Sequence, residues 1–379
     1  MVRFHIIIET FGLKEGSNMR IIFRTVVIFL IIFVSYVLFI YFGQYTPSEQ
    51  HENEDVQISN EELPNEENKK EGRDASQKLP QDGILSLMNK SSEEITALLG
   101  EPDRIDPSAY DYDWWIYQQS EKQYIQIGIL NQKVVTVYGI GEEINVDPLK
   151  IGQSVQEVFK TVQITPTLSL EHKGNTYRFE LSEEDMNTRP TVKIGEVYVQ
   201  LYIDKFDGIL SSIRAMDAET FIKQRSYEVT YRGELIEPQD VSEEKWEKIE
   251  DGSEKQILSI TNMMRVRHHV PAVKWDEETS KVAFLHSEDM KKNNYFSHET
   301  PSGETLVDRL GEQNIKYEMA GENIAAHYVD GIAASEGWLN SKGHRDTMLN
   351  EEFTHLGVGV DELYYTQNFI KTWEQVNLH

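Results

Sequence analysis

Histidine and acid gather in four short stretches of the last third of the chain: His286-Ser287-Glu288-Asp289-Met290, Tyr295-Phe296-Ser297-His298, Gly321-Glu322-Asn323-Ile324-Ala325 and Ser341-Lys342-Gly343-His344-Arg345. Neutral imidazole is the commonest side-chain ligand for zinc, and a carboxylate can complete the set. Two histidines and one glutamate around an open position also suit a metal-activated water. His298, Glu322 and His344 are therefore candidate ligands for a divalent cation such as zinc. Glu322, as general base, and His298 are the candidate catalytic groups. His286 has Val282 and Met290 at i − 4 and i + 4, so it reads equally as a hydrogen-bonded core histidine. Glu322 reads equally as a loop brace that accepts backbone N–H groups. His268, His269, His327 and His355 lack such context and read as ordinary surface or loop residues.

His298, Glu322 and His344 are separated by 24 and 22 residues, so only a fold brings them together. Ser253-Glu254-Lys255-Gln256 has the spacing of a capping box, followed by Ile257, Ile260, Thr261 and Met264 at helical spacing. Asp276 reads as the N-cap of a second helix running to about Asn293, with Val282, Leu285 and Met290 apolar. A third short helix is expected over 304–311 and a fourth from Asp330 through Trp338 and Leu339. Leu356–Val360 and Tyr364–Ile370 alternate as strands do. Helices first and strands last predict an α+β sandwich.

In this order, with Tyr365-Thr366-Gln367-Asn368-Phe369 after them, the four stretches resemble the CAP superfamily (cysteine-rich secretory proteins, antigen 5 and pathogenesis-related proteins) in its bacterial, disulfide-free branch. The resemblance covers roughly Ile257 to Ile370, about 30% of the chain. It implies an α-β-α sandwich with a central antiparallel sheet and an open cleft lined by His and Glu, where a divalent cation can sit. His286, His298, Glu322, His344 and Gln367 fall on its cleft positions. The second cleft histidine of animal and plant members falls on Tyr364, so an inherited metal site would be incomplete or rebuilt with another residue, for which His344 is the candidate.

Residues 84–238 carry an internal duplication. Ser91-Ser92-Glu93-Glu94 and Ser154-Val155-Gln156-Glu157 are capping boxes 63 residues apart. Ile95, Leu98 and Leu99 form the apolar side of the first helix, Val155, Val158 and Phe159 that of the second. Strands are expected over Tyr112–Gln118, Tyr124–Leu130 and Lys133–Ile140, then over Thr176–Leu181, Val192–Asp204 and Ile209–Met216. Trp114, Trp115 and Tyr117 read as core or as a binding face. This helix-plus-antiparallel-strands unit resembles the CAP-associated N-terminal domain of some Gram-positive proteins. Residues 239–379 form the CAP-like part, expected to fold by itself from about Val241.

Thr25–Gly43 holds 19 residues without a charge, close to the roughly 20 that span a bilayer. Arg20 and Arg24 precede it and Glu49, Glu52, Glu54 and Asp55 follow, which predicts a single transmembrane anchor (20–43) with the C-terminus outside the cell. Residues 1–19 form a cytoplasmic N-terminus, with Met19 the expected start of translation. Residues 44–83 carry eleven acids against four bases and three prolines, an acidic disordered linker. The chain of 379 residues has 37 Lys and Arg against 64 Asp and Glu, a net charge of −27, which disfavours nucleic acid. Without cysteine, disulfides, thiolate metal sites and Cys nucleophiles are excluded. No His-Glu-x-x-His helix and no Ser-centred elbow is present. Three functions stand: an extracytoplasmic module binding a ligand, lipid or protein, as family members do; a cation-dependent hydrolase or peptidase at the cell envelope; and a structural or stress-related envelope protein.

Overall fold

The computed structural model describes residues 78–373, together with the backbone of Ile58–Ser59. The predicted transmembrane anchor lies outside the described residues, and no helix among those described is long and apolar enough to cross a membrane. Of the acidic linker the structure describes Ile58–Ser59, which pairs in parallel with Val229–Thr230, and residues 78–83, which lead into the first repeat.

Each repeat begins with a capped helix. Ahead of α1 (Ser92–Leu99), Ser91 Oγ accepts the Glu94 N–H at 3.2 Å and Glu94 accepts the Ser91 N–H at 2.8 Å. Ser154 and Glu157 do the same for α2 (Val155–Thr161). After α1 come β1 (Arg104–Pro107), β2 (Asp113–Ser120), β3 (Gln123–Leu130) and β4 (Lys133–Ile140). After α2 come β5 (Thr167–His172), β6 (Asn175–Glu180), α3 (Glu183–Thr188), β7 (Thr191–Ile194), β8 (Val197–Asp204), β9 (Ile209–Met216), α4 (Ala218–Gln224) and β10 (Glu228–Arg232). The strand expected over Val192–Asp204 is two, because the chain turns at Gly195-Glu196. One seven-stranded sheet, β7-β8-β9-β4-β3-β2-β1, joins the repeats, with β4 and β9 paired antiparallel at its middle. Strands β5, β6 and β10 form a second sheet.

Alternation along these strands sends side chains to two different cores. Ile125, Ile127, Val137, Val199 and Leu201 pack on one side with Ile95 of α1 and Val158 of α2. Leu98 and Phe159, expected on the apolar sides of those helices, instead face solvent at 59% and 53% exposure. On the sheet's other side Tyr112, Trp114, Tyr124, Tyr138 and Tyr202 share a core with residues beyond 239.

The downstream part opens with α5 (Glu243–Arg267), followed by β11 (Lys274–Trp275), α6 (Glu277–Asn293), α7 (Leu306–Glu312), β12 (Met319–Ala326), α8 (Gly331–Leu339), α9 (Lys342–Met348), β13 (His355–Asp361) and β14 (Tyr364–Lys371). Its sheet runs β11-β13-β14-β12, antiparallel apart from the two-residue β11 pairing. Ser280 and Ser287 of α6 bond β13 from one face, while Gln256, Thr261 and Ile260 of α5 lie toward the shared core on the other. This is an α-β-α sandwich.

Two expectations change here. The Ser253 capping box lies inside α5; the true N-cap is Ser242, which accepts the Lys245 N–H at 3.3 Å. The helix runs through Gly252 because it presses on β1, where a Cβ would stand 2.7 Å from the Asp106 Cβ. Independent folding from Val241 conflicts with the shared core, since Ile257, Ile260, Met263 and Met264 of α5 pack among the aromatic rings of the upstream sheet.

Candidate functional site

β12 is an edge strand, and alternation along it sets the site. Glu322 points toward α6, and Asn323 toward the α5 and α9 side. The loop after α6 brings His298 to Glu322, donating from Nδ1 to Oε1 at 2.9 Å. That bond fixes the imidazole's tautomer and leaves Nε2 with the lone pair. Arg309 of α7 donates to Glu322 Oε2 at 2.7 Å and to the carbonyls of His298 and Glu304 at 3.1 and 3.3 Å. Glu322 thus braces the His298 loop, through a guanidinium rather than backbone N–H groups. Burial pushes the Glu322 carboxyl upward, but the His298 hydrogen bond and the charge of Arg309 outweigh it and hold its pKa below the usual range.

His286, on α6, is 1% exposed, and its Nε2 stands 3.9 Å from Glu322 Oε1. The Ser297 backbone and the Glu322 carboxylate lie against its ring. Burial pulls the His286 pKa down to about 4, so the ring is neutral at physiological pH. It is a buried histidine beside the site, satisfying parts of both readings its sequence allowed. Beside it Tyr295 donates to Asp289 at 2.5 Å.

His344 is buried on α9. Its ring centre lies 6.4 Å from that of His298, and its carbonyl accepts Asn323 Nδ2 at 3.1 Å. Gln367 is close in sequence terms but not in place. It is fully buried on the α5 side of the sheet, donates to Thr261 Oγ1 at 2.8 Å and accepts from Asn323 at 3.2 Å, one layer behind Glu322. Tyr364 pairs with Ala326, four residues along β12 from Glu322, and its ring meets that of His327. His286 stands beside Glu322 and His344 beside His298, and the Tyr364 position lies away from them.

The ligand atoms of His298, Glu322 and His344 do not fall within 4.8 Å of one another; among the described residues only Asp204, Asp207 and His268 bring three donors that close. Arg309 also holds the second oxygen of Glu322. The arrangement does not fit a resident metal without displacing that guanidinium. At the Asp204 cluster, Arg345 donates to Asp204 at 2.8 Å and lies 3.2 Å from Asp207, so a guanidinium already stands where a cation would bind both carboxylates. His268, read from sequence as an ordinary surface residue, sits 3.4 Å from both carboxylates.

Sequence reasoning missed Arg309, Asn323 and Arg345. Arg309 is one cation in a short polar helix, without a spacing that marks it. Asn323 follows Glu322 and Arg345 follows His344, and neither carries a spacing of its own that marks a role.

The sequence pattern of the cysteine-rich secretory protein family matches residues 258–373, and that of the CAP-associated N-terminal domain matches residues 88–227. The chain is 58% identical over 355 residues to the "uncharacterized membrane protein YlbC" of Bacillus subtilis, covering 94% of this chain and 100% of that one. A second Bacillus subtilis protein, YkwD, is 40% identical over 119 residues, 31% of this chain and 46% of its own length. Among solved structures, an extracellular protein containing a SCP domain from Bacillus anthracis superimposes with a TM-score of 0.74 at 44% identity, over 81% of this chain and 99% of that chain. A cysteine-rich secretory protein from Staphylococcus aureus shares the fold, with a TM-score of 0.70 at 24% identity over 84% of this chain and 100% of that one.

Proposed function

The chain belongs to the cysteine-rich secretory protein family in the form that carries a CAP-associated N-terminal domain, and on that premise we propose that it is a binding module tethered to the outer face of the cell membrane. The uncharged stretch Thr25–Gly43 supports the tether, as does the membrane-protein name of the Bacillus subtilis relative. The extracellular description of the Bacillus anthracis neighbour supports the orientation.

One observation carries binding over catalysis: both oxygens of Glu322 are taken, one by His298 and one by Arg309. A carboxylate held below its usual pKa by an ion pair is a poor proton acceptor near neutral pH. The charges of Glu322 and Arg309 cancel, so a polar, uncharged part of an organic ligand suits this place better than a metal ion. A hydrolase is the second reading, because a His298 oriented by Glu322 has the geometry of a general base.

Purified cell-envelope material incubated with the full chain in detergent separates the two. The wild type should bind and leave the material intact, and His298→Ala should weaken binding by about fivefold or more. Soluble peptide or sugar fragments released by the wild type but not by His298→Ala would establish the hydrolase instead.

A further inference from the structure

Two consecutive residues of α9 serve different parts of the molecule. His344 faces the cleft, with its carbonyl held by Asn323 and its ring beside that of His298. Arg345 reaches the upstream domain, at the turn Asp204–Gly208 between β8 and β9. It donates to Asp204 at 2.8 Å, lies 3.2 Å from Asp207, and its guanidinium carbon stands 5.2 Å from the centre of the Phe206 ring. Asp204 is fully buried and accepts the backbone N–H groups of Phe206 and Asp207 at 3.1 and 3.2 Å, so the anion is fixed before Arg345 meets it. Asn340, just ahead of α9, grips the same turn. It donates to the Ile203 carbonyl at 2.8 Å and accepts the Lys205 N–H at 2.9 Å. A helix of seven residues has little rigidity of its own. Its place is set by these contacts, by Asn323, and by Met348 at its end, which is buried in the shared core and whose carbonyl accepts Arg265 at 2.7 Å.

We propose that Arg345 is a positioning residue: by fastening α9 to the Asp204–Gly208 turn, the CAP-associated domain sets where His344 stands in the cleft. Cleft occupancy and the contact between the domains are then linked, and each changes the free energy of the other by the same amount. That link rests on the binding reading above; the placement of His344 does not. It gives the CAP-associated domain a task that neither its own sheet nor its surface suggests.

The test reads the accessibility of single histidines in the full chain in detergent. Diethyl pyrocarbonate labelling, resolved peptide by peptide, compares His344 with His286, which is as deeply buried but sits on α6. Loosening of the whole fold accelerates both histidines together, whereas release of α9 accelerates His344 alone. In Arg345→Met the His344 to His286 rate ratio should rise about tenfold, with Arg345→Lys in between, since a lysine keeps the charge but not the forked contact. Asp207→Asn, which removes only the outer half of the clamp, should raise the ratio by about threefold. An unchanged ratio in folded Arg345→Met overturns the proposal, as does a joint rise of both rates. Should Arg345→Met fail to fold, an unchanged ratio in Asp207→Asn overturns it equally. A raised ratio in a protein that binds no envelope material would leave the placement standing and remove the binding reading.

Discussion

Glu254 sits on α5 with Glu250 and Asp251 close by, and its Oε1 accepts the Val360 N–H at 3.2 Å. Burial, then the neighbouring Asp251 and Glu250 charges, push its pKa up to about 8, against the opposing pull of the Val360 hydrogen bond. The sign follows from linkage. A carboxyl whose folded pKa exceeds its unfolded value holds a proton that the unfolded chain has released. Its contribution is full below about pH 4.5 and declines as pH rises toward 8. Glu254→Gln keeps an oxygen for Val360 and removes the titration. The variant should match the wild type near pH 4.5 and be more stable by about 2 kcal/mol near pH 8.5, measured by urea unfolding at both values. Equal stability at pH 8.5 would show that Glu254 is ionised in the fold. His286 works in the opposite direction. Its depressed pKa costs stability as pH falls from about 6.5 toward 4, so its effect is on the acid side alone.

The contact of α6 with β13 depends on two glycines. At Gly359 a Cβ would lie 1.8 Å from the Phe284 nitrogen, and at Gly357 2.2 Å from the Ser280 nitrogen, so helix backbone rests directly on strand. Gly359→Ala must push α6 away, and with it His286. A loss of roughly 3 kcal/mol or more in chemical unfolding is expected, at the upper end for overpacking. Gly311→Ala, in α7 where nothing lies within 4 Å of the added Cβ, is the control and should be neutral or stabilising by up to about 1 kcal/mol. A small effect at Gly359 would mean the helix stands further off. The Leu356–Val360 alternation revealed the strand but not the helix on its glycine side. Legibility follows the same line elsewhere. The caps at Ser91, Ser154 and Asp276 are local hydrogen-bond patterns, and all three cap their helices; Asp330, read only as the start of a helix, caps the fourth. Ser253 carries the same pattern, yet Gly252 and Asp106 meet only in the tertiary structure and carry α5 through it. The meeting of His298 with Glu322 was legible from motif order. The Arg309 that neutralises them was not, because an ion pair across 13 residues leaves no periodic trace.

The two parts of the folded chain do not keep separate cores. Rings of Tyr112, Trp114, Tyr124, Tyr138 and Tyr202 lie with Ile257, Ile260, Met263, Ile332 and Trp338 in one cluster. Polar groups close the same surface. Arg214, fully buried, donates to both oxygens of Asp330 at 2.8 and 2.7 Å, and Glu336 accepts from Ser211 and Ser212 at 3.2 and 2.5 Å. Asp330 is also the N-cap of α8, so one carboxylate ties the start of a helix in the second part to a strand in the first. Burying a large apolar side chain contributes roughly 2–3 kcal/mol, so uncovering five rings costs on the order of 10 kcal/mol. That is comparable to the stability of an entire domain, about 5–15 kcal/mol. Either part left alone would expose this face, and residues 78–373 should melt as one unit. Calorimetry of the full chain should give a single transition for the folded part, with calorimetric and van't Hoff enthalpies in agreement. Arg214→Met leaves Asp330 buried without its partner and should lower that single transition without splitting it, because the pair belongs to both parts. Two separate transitions in the wild type would mean that the aromatic face of the seven-stranded sheet is a docking surface between independent domains.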